Sequence, residues 1–301
     1  MTAVQETRPE AGVGQGCSAL SLDAGEPLAG TAPALRRLVA VEHVGAWPPR
    51  VAAHPDPAVS GLAARLREQD ATLLLIRRPG RRRRRPSGRA VILADLTPGR
   101  CRVVRRHVRG PDDLASVRFD LDAGREVADP LLLVCAHGKR DVCCAVRGRA
   151  LAAAVSGADP DHPGGVWECS HLGGHRFAPT AIALPTGYAY GRLDPATAVD
   201  VRKGAGLGEV LTACCRGHVG HTPAEQAADL AVREHTGLRD VRALTVDPAD
   251  GPGEVTVRER DGRRWVVTLS VDTEAGARPA SCGAALEPAL PLVAGPPRPA
   301  E

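Results

Sequence analysis

Cysteine and histidine crowd into one stretch of this chain, in types and spacings that suit metal chemistry. The run Leu131-Leu-Leu-Val-Cys135-Ala-His-Gly-Lys-Arg-Asp-Val-Cys143-Cys144-Ala is followed by Trp167-Glu-Cys-Ser-His171-Leu-Gly-Gly-His175-Arg-Phe. Thiolates are soft ligands and neutral imidazoles borderline ones, so together they suit a metal ion or an iron–sulfur cluster. Cys143 and Cys144 fall at the predicted start of a helix, where a thiol loses its proton more easily, so either is a credible ligand. His171 and His175 are four apart in a loop with Gly173 and Gly174, whose backbone freedom lets the chain curl until both rings face one centre. A duller reading makes the thiols small core residues and the histidines exposed loop residues. It accounts for any one of them but poorly for four in one segment.

Two centres use such a donor set. A mononuclear zinc site of two Cys and two His is chemically sound, but zinc fingers draw the first pair from a C-x₂₋₄-C knuckle, and Cys135 stands further than that from Cys143 and Cys144. A Rieske cluster also takes two Cys and two His, and Cys135-Ala-His137 and Cys169-Ser-His171 each offer C-x-H. Its second box normally reads C-x-x-H, and the usual companion sequence is absent.

Short apolar runs supply the elements that would position these residues. Leu38–His43, Thr72–Arg77, Ala90–Asp95, Cys101–His107 and Val117–Leu121 read as strands, and Asp56-Pro57 caps a helix with Val59, Leu62, Ala63 and Leu66 on one face. That unit ends near Pro130. Leu131–Cys135 reads as a buried strand, and Asp141 as the cap of a helix whose apolar face is Val146, Ala150, Leu151, Ala154 and Val155. Gly148 weakens that helix by roughly 1 kcal/mol relative to alanine. Val166–Cys169 and Ala181–Leu184 flank the histidine loop as strands, and Ala198–Thr212 continues as a helix. Further on, Thr222-Pro-Ala-Glu225 is a capping box with Gly237 as the stop. Glu254–Arg260 and Arg264–Val271 form a hairpin about Asp261-Gly262. The Pro/Ala-rich tail from Ala275 is expected to be disordered.

With 301 residues the chain can bury a substantial core, and with aromatics at only 2% that core must be built from Val, Leu and Ala. No apolar run approaches the length of a bilayer span and the opening residues carry no signal peptide, so a cytoplasmic protein is expected. Nine cysteines in a reducing compartment point to metal binding or catalysis rather than to a disulfide framework. The net charge of +4 is unevenly spread. Arg81, Arg82, Arg83, Arg84 and Arg85 form the densest run, read as a solvated loop or as a docking patch for an acidic redox partner. The near absence of aromatic platforms disfavours nucleic acid. Cys214, Cys215, His218 and His221 make a second local group, read as a turn with incidental thiols before the capped helix, with a separate zinc site or a resolving thiol as the alternative.

The run Val134–Gly148, the segment Ser170-His-Leu-Gly-Gly-His-Arg-Phe177 and the later Tyr190-Gly-Arg192 resemble the sucrase/ferredoxin-like family of thioredoxin-like [2Fe-2S] proteins. The stretches Cys17-Ser-Ala-Leu, Glu26-Pro-Leu-Ala-Gly30, Val41-Glu-His and Ser281-Cys-Gly283 resemble its bacterial members. The resemblance implies a [2Fe-2S] cluster held by Cys135, Cys144, His171 and His175, with Cys143 as the alternate to Cys144 and Cys169 as a bystander. It implies an electron carrier, with proton-coupled transfer through the imidazoles, and no catalytic residues. No paired-carboxylate site suggests sugar hydrolysis. A structural zinc domain with the same four ligands is the alternative. A thiol oxidoreductase on the same scaffold would want a C-x-x-C that is missing.

The expected architecture is α/β, a thioredoxin-like ferredoxin domain between an N-terminal α/β unit and a C-terminal helix-plus-hairpin extension. Its parts are a flexible arm (1–30), the N-terminal unit (31–125), the [2Fe-2S] domain (126–215), the extension (216–274) and the tail (275–301).

Overall fold

In the computed structural model, which describes residues 16–80, 88–158 and 164–300, the apolar runs form one ten-stranded mixed sheet. A short helix, α1 (Cys17–Asp23), precedes it. Strands β1 (Arg37–Glu42) and β2 (Thr72–Arg77) pair in parallel, as a crossover through helix α2 (Pro57–Glu68) requires. β3 (Arg89–Asp95) runs antiparallel on the other side of β1, followed by β4 (Arg102–Val108), the short helix α3 (Pro111–Ala115) and β5 (Arg125–Glu126).

The same pattern recurs in the next segment. β6 (Leu131–Cys135) and β7 (Val166–Cys169) are parallel across a π-helical turn (Cys144–Gly148) and helix α4 (Arg149–Ala158). β8 (Ala181–Leu184) lies antiparallel to β6, then come β9 (Tyr188–Tyr190), helix α5 (Pro195–Gly206) and β10 (Cys215–His218). The order β2-β1-β3-β4 thus repeats as β7-β6-β8-β9, and the two halves meet where β2 pairs antiparallel with β7. An Arg77–Glu168 ion pair at 2.7 Å closes that seam. This large mixed α/β sheet agrees with the thioredoxin-like expectation.

Helix α6 (Pro223–Thr236) forms as its capping box predicts, with Gly237 in the left-handed conformation at its end. Its Ala224, Ala227, Ala228 and Val232 pack on a second sheet of β11 (Leu244–Val246) and the hairpin β12 (Gly253–Glu259) and β13 (Arg264–Val271). Its opposite side is tied to β9. The Tyr188 hydroxyl donates to Asp229 at 2.8 Å, and Arg233 Nε donates to both Asp229 oxygens at 3.1 Å. All three side chains are buried. Removing one partner would strand a buried charge, so Asp229→Ala is expected to cost about 3–5 kcal/mol in urea unfolding. A loss below about 1 kcal/mol would mean that the triad does not hold α6 to the sheet.

Several expectations are corrected. Val117–Leu121 is not a strand, because the chain after α3 is irregular and Val117 simply fills the core. Helix α5 begins and ends earlier than read, since Asp194 caps it by accepting from the Ala196 and Thr197 N–H groups. Val146, Ala150 and Ala154 face outward. The π-helical turn holds one more residue than an α turn and rotates the buried side to Cys144, Gly148, Leu151, Ala152 and Val155.

The tail is not disordered. It forms β14 (Ala277–Pro279), β15 (Leu286–Pro288), β16 (Leu292–Ala294) and β17 (Arg298–Pro299), the last two paired with β13. Nor are residues 16–30 a loose arm. Buried Glu26 binds Arg176 at 2.8 Å and Arg278 at 3.1 Å, joining this segment to the histidine loop and to the tail. Residues 1–15 and the arginines Arg81, Arg82, Arg83, Arg84 and Arg85 lie outside the described residues. Among the described residues no helix is long and apolar enough to cross a membrane.

Candidate metal centre

β6 and β7 end side by side, Cys135 in register with Cys169, and both open into loops at their C-terminal ends, where α/β sheets hold their ligands. Cys135 is fully buried and receives contacts from every side. The Cys144 thiol hydrogen-bonds it and holds it well below the usual thiol range against the opposing effect of burial. The His171 ring and the backbone N–H groups of Leu172 and His137 act in the same direction. Sharing that proton with Cys135, together with burial, pushes Cys144 up. Two thiols that share a proton in this way are a ready-made ligand pair once both are deprotonated.

The turn carrying Cys144 sits directly on the strand end. A Cβ at Gly148 would overlap the Cys135 carbonyl oxygen, so only glycine allows this approach. Asp141 starts the turn by accepting from the Cys143 N–H at 2.8 Å. Consecutive cysteines here look opposite ways. Cys144 lies against Cys135, whereas the Cys143 sulfur is 3.4 Å from Cys282 and 3.7 Å from Cys17.

The histidine loop is anchored at both ends. Ser170 exchanges hydrogen bonds with Leu75 on β2, its N–H reaching the Leu75 carbonyl at 2.7 Å and its hydroxyl accepting from the Leu75 N–H at 3.0 Å. Phe177 is buried at the other end. Gly173 and Gly174 take φ of +81° and +70°, the left-handed turn that glycine tolerates. Arg216 fills the space a Gly174 side chain would need and donates to the carbonyls of Gly173 and Thr31. The result brings the His171 and His175 rings to a centroid separation of 5.5 Å. The Nδ1 atom of each is buried without a hydrogen-bond partner. Two such unsatisfied nitrogens are costly unless a ligand takes them. His137 accepts the His171 N–H on its Nδ1 at 3.2 Å.

The charge around the site is mixed. Burial lowers the Arg216 guanidinium to about 10, with neighbouring Arg176 acting the same way and the Cys135, Cys215 and Cys144 thiols opposing. His175 is also pushed down by burial, against Asp141, whose Oδ2 lies 4.0 Å from His175 Nε2. The His175 side chain remains 17% exposed, so the site has an edge on solvent.

Sequence reasoning missed a second convergence. The ligand atoms of Cys17, Asp141, Cys143 and Cys282 all lie within 4.8 Å of one another, a set that could hold a metal ion. It is the one such compact group of three or more among the described residues; Cys135, Cys144, His171 and His175 do not close to that spacing. In the sequence, Cys17-Ser and Ser281-Cys-Gly stand out only as points of family resemblance. Cys214, Cys215, His218 and His221 do not gather at one centre, and Cys215–His218 is strand β10 rather than the expected turn. His218 contacts Cys101 at 3.5 Å and His221 pairs with Glu225 at 2.9 Å. Cys169 is buried in the core.

Comparison with curated proteins and with solved structures gives no match. The pattern that defines the sucrase/ferredoxin-like family matches residues 28–217, which hold both strand ends, the π-helical turn and the whole histidine loop, and over well more than half of its length the chain belongs to that family.

Proposed function

We propose that the protein is a one-electron carrier with a [2Fe-2S] cluster held by Cys135, Cys144, His171 and His175. The observation that carries this reading is the pair of buried, partnerless Nδ1 atoms on His171 and His175, beside a sulfur that His171 and Cys144 both contact. The wider spacing of these four donors favours a two-iron centre over the single zinc ion of the alternative, which would draw them together. A bound cluster would supply one-electron transfer, and everything else falls to the protein.

The residues set potential and access. Two neutral imidazoles in place of two thiolates leave less negative charge around the site, which favours the reduced state and raises the potential. Buried Arg216 acts in the same direction. Gly148 and the two loop glycines fix ligand spacing, while the partly exposed His175 gives electrons and protons a short route to solvent. A ring nitrogen that gains a proton on reduction couples the two transfers. Lower pH then stabilises the reduced state, so the midpoint potential should rise by about 59 mV for each pH unit of acidification across the coupled range. Protein-film voltammetry from acid to alkaline pH measures this, and a midpoint flat with pH would remove the coupling. The acidic redox partner expected at Arg81–Arg85 belongs to the same proposal, and electron transfer to it should slow as ionic strength rises.

A further inference from the structure

Three cysteines and a carboxylate from the two ends and the middle of the chain meet beside the site above, with Asp141 Oδ2 4.0 Å from His175 Nε2. We infer that Cys17, Cys143, Cys282 and Asp141 form a separate mononuclear site for a thiophilic divalent cation, zinc above all, that fastens the N-terminal helix and the C-terminal tail to the loop between Cys135 and Cys144.

The spacing is that of one tetrahedral ion. The sulfurs stand 3.7 Å (Cys17–Cys143), 3.4 Å (Cys143–Cys282) and 3.6 Å (Cys17–Cys282) apart. Asp141 Oδ1 lies 3.6 Å from the Cys17 sulfur and 3.3 Å from that of Cys282. With Zn–S of about 2.3 Å and Zn–O of about 2.0 Å, a tetrahedral centre sets its sulfurs roughly 3.8 Å apart and sulfur and oxygen roughly 3.5 Å apart. Three sulfurs at nearly equal spacing suit one shared ion better than a disulfide, which would join two and strand the third. Cys17, Cys143 and Asp141 are buried and Cys282 is partly so, as a closed structural site requires.

The backbone is arranged around the same point. Asp141 accepts the Cys143 N–H on Oδ1 at 2.8 Å and the Cys282 N–H on Oδ2 at 2.9 Å, which orients the carboxylate and leaves each oxygen a further lone pair. A Cβ at Gly16 would come within 2.5 Å of the Cys143 sulfur, so the residue before Cys17 has to be glycine for the thiol to stay. Cys17 and Cys282 are 265 residues apart, and an ion joining them closes a very long loop, where such a clip constrains the unfolded chain most. Such an ion would add to the β13 pairing and the Glu26–Arg278 ion pair that already hold the Pro- and Ala-rich tail.

The site does not rest on the cluster proposal, since it shares no ligand with it. Zinc, iron and labile sulfide are measured together on the full chain purified without chelator. One zinc per chain is expected beside the iron, and Cys282→Ser should lower zinc from one to near zero while iron and sulfide stay unchanged. A second measurement uses protein produced in zinc-limited, cobalt-supplemented medium. Thiolate-to-cobalt charge-transfer absorption at one cobalt per chain is expected, and should vanish in Cys282→Ser even where that variant folds less well. Zinc and cobalt both absent from the wild type would overturn the inference. So would full zinc in Cys282→Ser, which would put the ion on the Cys135, Cys144, His171 and His175 set and sink the cluster reading instead. Zinc that is lost in Cys282→Ser, with iron and sulfide absent throughout, leaves this site standing and removes the cluster alone.

Discussion

Cys144→Ser is expected to yield colourless protein with almost no iron, whereas Cys143→Ser should keep its colour and iron and lose only zinc. The two residues are adjacent and equally cysteine, so the sequence offers no way to separate them beyond family resemblance. Their surroundings do. The Cys144 thiol hydrogen-bonds Cys135, the sulfur that His171 also contacts, while Cys143 is turned toward Cys17 and Cys282. Serine is close in size and removes only the soft donor, so folding should survive and the metal content should report the ligand directly. Iron and zinc analysis of the two variants side by side checks this. Iron lost from Cys143→Ser but kept in Cys144→Ser would exchange the two assignments and refute both.

The second large effect is at Gly148, where sequence logic points the wrong way. Glycine in a helix costs roughly 1 kcal/mol against alanine, so propensity alone predicts that Gly148→Ala stabilises. Instead the added methyl would overlap the Cys135 carbonyl oxygen, a backbone atom that cannot rotate away. The turn would have to lift off the strand end, at a cost of about 3 kcal/mol in overpacking, and would carry Cys144 away from Cys135. Gly148→Ala should therefore lose stability and iron together. At Gly157, in the same α4 helix, a Cβ would meet nothing within 4 Å, so Gly157→Ala should be neutral or mildly stabilising and should keep its iron. Chemical denaturation and iron content of the pair measure both effects. An iron-replete Gly148→Ala of normal stability would show that the close approach does not position Cys144.

The contrast between these two glycines shows where sequence reading stops. Local signals were legible. The Thr222–Glu225 capping box, the Asp261-Gly262 hairpin and the apolar strands beside the site all form where periodicity and turn chemistry put them. The histidine loop was legible too, because its two histidines and its two glycines are neighbours in the chain.

What could not be read depends on contacts between distant residues. A π-helical turn shifts the buried side of the helix from Val146 to Gly148, and nothing in the helical period announces it. Residues 275–300 have the composition of a loose tail, yet β13 and Glu26 hold them through partners far away in sequence. Cys17, Cys143 and Cys282 come from three separate segments, so no knuckle spacing marks them, and only the fold brings their sulfurs together.

Whether the chain carries a [2Fe-2S] cluster at all is decided by iron and labile sulfide analysis, with EPR after dithionite reduction, on protein purified without oxygen. Two irons and two sulfides per chain are expected, with a rhombic signal that is lost in both His171→Ala and His175→Ala. Colourless protein without sulfide, or a cluster whose signal is indifferent to both substitutions, would contradict the assignment.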